Sequence, residues 1–209
     1  MEKTQLQQVL SRLDPVEDPD AALEQYATPP AIAADVLHRM RLNSDLDGTV
    51  IDLGCGSGVF TIGAAVLGAD AVGVDVDGDA VAVARDNLAA AGDRVEDGSA
   101  RFETVDVRDL DREADVVVTN PPFGLQQEDA NLMFLEAAFD TAPVVYALLH
   151  QSHEQPDTTR RFLDRFADDH GFAASIATTY DFPLPRRFGH HTTEKKYIKV
   201  DLYRFEQVE

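Results

Sequence analysis

The sequence predicts an α/β fold, a Rossmann-like seven-stranded sheet with helices on both faces and a closing antiparallel hairpin, on three observations. Short β-rich apolar runs alternate with helical patterns through the first 150 residues, as a doubly wound sheet requires. The first of these runs leads straight into a glycine loop that opens a helix. The last two strands follow each other with no helix between them, which is not how a dinucleotide-binding domain ends.

Taken in order, Met1 to Leu13 carries a helical pattern, and Asp14-Pro15 through Asp18-Pro19 is a loop. Pro30 to Arg41 is a second helix, with proline at its first position. Thr49 to Leu53 is the first strand, and the helix after the glycine loop runs out near Leu67-Gly68. Ala71 to Asp75 is a strand, Gly78 to Ala91 a helix, and Arg101 to Asp106 a strand. The apolar run at Val116 is the fourth strand, Asn131 to Thr141 a helix, and Val144 to Leu149 a strand. A helix from Thr158 to His170 precedes the strands Ala173 to Tyr180 and Tyr197 to Phe205, joined by Asp181 to Lys196. No internal repeat or low-complexity stretch interrupts this order. We expect one domain over residues 1–209, with 1–45 a helical segment that lids a cofactor and 46–209 the catalytic core.

Composition bounds the function. The chain has 209 residues, 44% of them hydrophobic, and 38 Asp and Glu against 18 Lys and Arg, for a net charge of −20. An acidic surface argues against nucleic acid, because phosphates must be neutralised by Lys and Arg. The acids are spread over every segment and only four lysines occur, which fits instead a halophilic protein kept soluble in a salt-rich cytoplasm. On that reading the global charge says little about the ligand. Cys55 is the only cysteine, so an intramolecular disulfide and a Cys-based zinc cluster are excluded. The six histidines lack metal-site spacing, and no metal is expected. Met1 to Asp20 is polar and acidic, and no apolar run approaches membrane-spanning length. The chain reads as a soluble cytoplasmic protein.

Two motifs carry chemistry. Asn120-Pro121-Pro122-Phe123 follows the strand at Val116, so an amide and a ring stand at the carboxyl end of a buried strand, where α/β sheets bind ligands. The prolines remove backbone donors and restrict the turn. The Asn120 side-chain oxygen and the Pro121 carbonyl can then accept both hydrogens of an exocyclic amine, with Phe123 on the face of the ring that bears it. The second motif is Asp52-Leu53-Gly54-Cys55-Gly56-Ser57-Gly58. Its glycines let a ligand approach the backbone closely, but Val59 stands where a pyrophosphate-binding loop has its third glycine. Asp52 suits a cationic ligand end, Asp75 can take two ribose hydroxyls, and Asp106 can accept from an adenine amine. Each aspartate alone is an ordinary loop or cap residue. Together, at three successive strand ends, they describe S-adenosyl-L-methionine.

With those residues in view, the chain resembles class I S-adenosylmethionine-dependent methyltransferases that methylate amines. More narrowly, Leu23-Glu24-Gln25-Tyr26-x-Thr28-x-Pro30, Asp52 to Gly56, Asn120 to Gly124 and the closing Val200 to Phe205 resemble the methyltransferase-like protein 5 family. The resemblance runs from about Leu23 to Phe205. It implies methylation of adenine N6 in small-subunit ribosomal RNA, and cofactor contacts from Gln25, Thr28, Gly54, Ser57, Val59, Asp75 and Asp106. It also implies a small zinc-binding activator protein as partner. Tyr26 belongs either over the cofactor site or in the core. The segment around Leu148-Leu149-His150 and the stretch Gly189 to Thr193 depart from the family's pattern.

Two other readings compete. Glutamine methylation in a protein uses the same Asn-Pro-Pro-aromatic signature, and an RNA-binding or assembly protein could keep a methyltransferase scaffold without catalysis. The distribution of basic residues favours RNA. Lys195, Lys196 and Lys199 fall within five residues, Arg186, Arg187, His190 and His191 precede them, and Glu194 is the only acid between Phe182 and Lys199. A basic loop kept in so acidic a chain points to a phosphate partner.

Overall fold

Each expected strand forms, and the central ones are apolar because they are covered on both faces. The computed structural model describes residues 1–17, 26–95, 98–123, 130–152, 155–184 and 196–208. Its strands are β1 (Thr49–Leu53), β2 (Asp70–Asp75), β3 (Ser99–Thr104), β4 (Val116–Thr119), β5 (Val144–His150), β6 (Phe172–Leu184) and β7 (Lys196–Gln207). They make one sheet of order β3-β2-β1-β4-β5-β7-β6. The first five run parallel, and β7 lies antiparallel between β5 and β6.

Alternate residues of a strand face opposite sides, and the two cores follow that rule. Val50, Val116, Val118 and Leu148 pack with Leu6 and Leu10 of α1 (Lys3–Leu10), with Val36, Leu37 and Met40 of α2 (Pro30–Leu42), and with Phe60 of α3 (Val59–Val66). Ile51, Leu53, Val117 and Val145 point the other way, onto Leu135 and Phe139 of α5 (Ala130–Thr141) and Leu163 of α6 (Pro156–Asp169). A smaller cluster holds α4 (Gly78–Ala91) through Val81 and Ala84 against Phe102. No helix among the described residues is long and apolar enough to cross a membrane.

Charged ties join the outer elements to this core. Asp35 of α2 accepts from Lys3 Nζ and Arg39 Nε, both at 2.8 Å, and from the Tyr180 hydroxyl of β6 at 2.7 Å. Buried Asp201 of β7 takes the Arg160 guanidinium of α6 in a two-pronged pair at 2.9 and 3.1 Å, the geometry that best offsets the desolvation of a carboxylate.

Three expectations are corrected. The first helix starts and stops inside Met1 to Leu13. The hairpin strands are longer than expected and run to Leu184 and from Lys196, with a bulge between Ile176 and Thr178. β3 stops at Thr104, where its register with β2 ends at Asp75. Asp106 therefore lies beyond the strand and caps a single 3-10 turn over Val107–Asp109.

The topology fixes the site. β1 and β4 are neighbours, yet β1 continues to β2 on one side and β4 to β5 on the other. Loops leaving their carboxyl ends diverge and open a crevice. Leu53 pairs with Thr119, and the Thr119 hydroxyl donates to the Leu53 carbonyl at 2.8 Å. The glycine loop and Asn120 therefore start side by side.

Candidate active site

The glycine loop needs its glycines for conformation. Gly54, Gly56 and Gly58 have φ of 71°, 50° and 85°, the left-handed region that other residues enter only at a cost. A side chain on Gly56 would meet nothing within 4 Å, so space is open above the loop. One on Gly54 would come within 3.0 Å of the Phe134 ring of α5.

Asp75 closes the loop from below. Its carboxylate accepts from Gly56 N at 2.9 Å and Asp77 N at 3.0 Å, and burial pushes its carboxyl above the usual range against those two donors. Val76, beside it, is 54% exposed. An acid with an exposed apolar neighbour at this sheet edge fits a ribose with a flat ring lying over it. Asp52 is placed differently from the expectation. It is 1% exposed and lies under the loop, where its Oδ2 accepts from Thr61 N and Thr61 Oγ1 at 3.1 and 2.7 Å. Its carboxylate thus anchors the start of α3 rather than facing the opening. Desolvation pushes it up to about 7, with the Asp75 charge adding to the rise.

Asp106 is also engaged. It accepts from Arg108 Nε at 2.9 Å and Arg108 N at 3.0 Å, and the guanidinium holds it down at about 2. An adenine amine would have to share that carboxylate with Arg108. Ser57 turns its carbonyl to the side-chain amide of Asn87 at 3.0 Å, and Val59 opens α3.

Across the crevice, Asn120 is held by the N-terminal segment. Its Nδ2 donates to the Tyr26 carbonyl at 3.1 Å and to Thr28 Oγ1 at 3.0 Å. A carbonyl can only accept, so the atom facing Tyr26 must be the nitrogen. The oxygen, Oδ1, is left buried without a hydrogen-bond partner among the described residues. A buried acceptor in that state costs free energy unless a donor is brought to it.

Phe123 is 5% exposed. The Tyr26 ring stacks on it at 5.5 Å between centroids and 15° between planes, Phe182 meets it edge-on at 5.2 Å, and His150 lies tilted at 6.2 Å. No further ring fits between Tyr26 and Phe123 at that separation. Tyr26 therefore covers the Asn-Pro-Pro-Phe side of the crevice. Pro121 and Pro122 link Asn120 to Phe123 outside any helix or strand. Gln25, Arg186, Arg187 and Lys195 lie outside the described residues, as does the side chain of Lys196.

Sequence reasoning missed Val76, Phe134 and Asn87. Asn87, on α4, donates to Ser57 O and Asp14 O and accepts from Asp14 N, clamping the N-terminal loop to the glycine loop. A signal existed. Val81, Ala84, Asn87 and Ala91 are buried at helical spacing, so a polar residue occupies the apolar stripe.

Comparison with known proteins points the same way. The family profile called Methyltransferase small domain matches residues 32–146. The chain is 33% identical to the rRNA N(6)-adenosine-methyltransferase Mettl5 of Drosophila melanogaster, over 96% of this chain and 94% of that protein. It is 32% identical to METTL5 of Danio rerio, over 98% and 99%. The crystal structure of PH1948 from Pyrococcus horikoshii superposes with a TM-score of 0.85 at 34% identity, over 100% of this chain and 99% of that one.

Burial of Asp52 makes a pH test. Its carboxyl, about 7 when folded against 3.8 when unfolded, keeps a proton in that interval which the unfolded chain has released. Stability must then fall as pH rises from about 4 to about 7. Asp52→Asn keeps an oxygen for Thr61 and removes the titration. Denaturant titrations in molar salt should show the parent losing up to about 4 kcal/mol relative to the variant across that window, at about 1.4 kcal/mol per pH unit. Parallel profiles would mean that Asp52 ionises without cost.

Proposed function

The chain belongs to the methyltransferase-like protein 5 branch of the Methyltransferase small domain family, with S-adenosylmethionine as methyl donor, and on that premise we propose that it methylates the exocyclic N6 amine of adenine in RNA. The RNA we propose is that of the small ribosomal subunit. One observation carries the reading: among the described residues, Asn120 Oδ1 is buried without a hydrogen-bond partner, and an aromatic amine supplies the donor it lacks.

The bound donor supplies a methyl group already activated by its sulfonium. The protein has only to hold the amine in line with it, and no strong base is required. Gly54, Gly56 and Gly58 admit the donor close to the backbone, Asp75 takes the ribose hydroxyls, and Val76 supports the adenine. Gln25, Ser57, Val59 and Thr28 complete that contact as the family resemblance implies, and Asp106 reaches the adenine amine once it shares its pairing with Arg108. Asn120 Oδ1 and the Pro121 carbonyl accept the two hydrogens of the substrate amine. As positive charge grows on nitrogen these acceptors bind its hydrogens more strongly, and the methylated nitrogen then loses one proton to water. Base entry requires the Tyr26 ring to leave Phe123, which then offers its face to the incoming adenine. Within residues 1–45, α1 and α2 are packed in the core, so the lid is the short segment ahead of α2 that carries Tyr26 and Thr28. In a protein of net charge −20, the basic loop of Arg186, Arg187, Lys195 and Lys196 is the place for the RNA backbone. A zinc-binding activator would need an apolar sheet edge. Of the free edges, β3 carries the ion-paired Arg101 and Glu103, and β6 exposes Ala173, Ile176 and Ala177 beside Ser175 and Thr179, so β6 is the more apolar of the two.

Asn120→Ala should bind S-adenosylmethionine as the parent does and lose RNA methylation by about a hundredfold or more, the scale for removing one preorganised polar group. Retained transfer in a radiolabelled assay would remove Asn120 from the chemistry. Changing Arg186, Arg187, Lys195 and Lys196 to Ser should leave cofactor affinity alone and weaken RNA binding by about tenfold or more at fixed salt. Equal RNA affinity in filter binding would place the phosphate contact elsewhere.

A further inference from the structure

Thr28 sits at the rigid end of a helix. Pro29 and Pro30 follow it, the Pro29 carbonyl accepts from Ile32 N and Ala33 N at 2.9 Å, and α2 begins at Pro30. Two fixed φ angles and a capped helix leave residue 28 little backbone freedom. Thr28 is 8% exposed, and its Oγ1 accepts the second hydrogen of the Asn120 amide at 3.0 Å, the first going to the Tyr26 carbonyl.

We propose that Thr28 is a positioning residue, whose hydroxyl completes the hold on the Asn120 amide so that Oδ1, and not Nδ2, meets the amine to be methylated. The inference rests on the amine-methylating reading of Asn120. The amide's two ends have the same shape but opposite hydrogen-bond character. Turned about, Asn120 would present its own NH2 to the substrate's NH2, and neither could accept. The torsion that turns the group is soft, so its orientation has to come from partners. Tyr26 O names the end, and Thr28 Oγ1 fixes the plane by taking the remaining N–H. Without Thr28 that N–H is left unsatisfied in a buried place, and the amide relieves it by rotating, which carries Oδ1 off the line of the amine. The role is separate from contact with the cofactor, because it acts through Asn120 on the opposite wall of the crevice.

The test uses Thr28→Val, close in shape without the hydroxyl, with Thr28→Ala as a second hydroxyl-less variant and Thr28→Ser as the restoring one. The chain has four asparagines, so selective 15N-asparagine labelling resolves the side-chain amides, and the Asn120 pair is the one missing in Asn120→Ala. In the parent, both Asn120 amide protons should be hydrogen-bonded and slow to exchange. In Thr28→Val or Thr28→Ala one should move upfield and exchange about tenfold faster or more, the scale of one lost hydrogen bond. Single-turnover methylation of ribosomal RNA at saturating S-adenosylmethionine should fall about tenfold in the same variants, and Thr28→Ser should recover both readouts. Freely exchanging Asn120 protons in the parent would overturn the inference, and so would unchanged protons in the variants or a loss of cofactor affinity with no change at Asn120. If the parent methylates no RNA while the proton signature behaves as expected, the RNA reading fails and the hold of Thr28 on Asn120 stands.

Discussion

Both hydrogens of the Asn120 amide are spent on the N-terminal segment, and what the site can do follows from the oxygen this leaves over. That pairing joins residues 26–28 to the end of β4 across more than ninety positions of sequence. It can form because β1 and β4 are neighbours in the sheet, because Thr119 ties their ends together, and because α2 packs on the same face through Val36, Leu37 and Met40. An acceptor buried without a partner is a local cost, and the surrounding core holds it in place. On the proposed function the energetic logic is that of preorganisation: the amine to be methylated would be the donor that relieves the cost.

The glycine side of the crevice is built on the same economy of charge. Burial disfavours ionisation of both Asp52 and Asp75, and the Asp75 charge adds to the effect at Asp52. Asp75 is held by two backbone N–H groups and faces the open loop, while Asp52 is held by Thr61 and is closed off. On the proposed function, Asp75 is the acid that would serve a ligand, and Asp52 serves the turn into α3. Elsewhere, the ion pairs of Asp35, Asp45 and the buried Asp201 recruit Arg and Lys to bind helices and strands to the sheet.

Much of this was legible from local pattern. β1, with Val50, Ile51 and Leu53 just ahead of the glycine loop, forms over the residues expected, and the Gly78–Ala91 helix is bounded by its own cap, Asp77. Asp75 could be placed because it ends a strand that follows the glycine loop. The failures have a shared cause. Where β3 ends is set by its register with β2, not by its own mixed residues Ser99 to Thr104, so Asp106 was assigned to a strand it does not belong to. Asp52 reads as a ligand from its position before the loop, but which side of β1 it faces depends on α3. The amide orientation at Asn120, the cover of Tyr26 on Phe123 and the clamp at Asn87 are contacts between segments far apart in the chain, and no local periodicity encodes them.

The central claim is that the partnerless oxygen of Asn120 exists to receive an aromatic amine on RNA. It is tested most directly by incubating the protein with methyl-labelled S-adenosylmethionine and ribosomal subunits from a strain lacking it, in molar salt, then digesting RNA and protein separately. The account predicts label in N6-methyladenosine from small-subunit RNA. Label in a glutamine side chain of a protein, with none in adenosine, would contradict it.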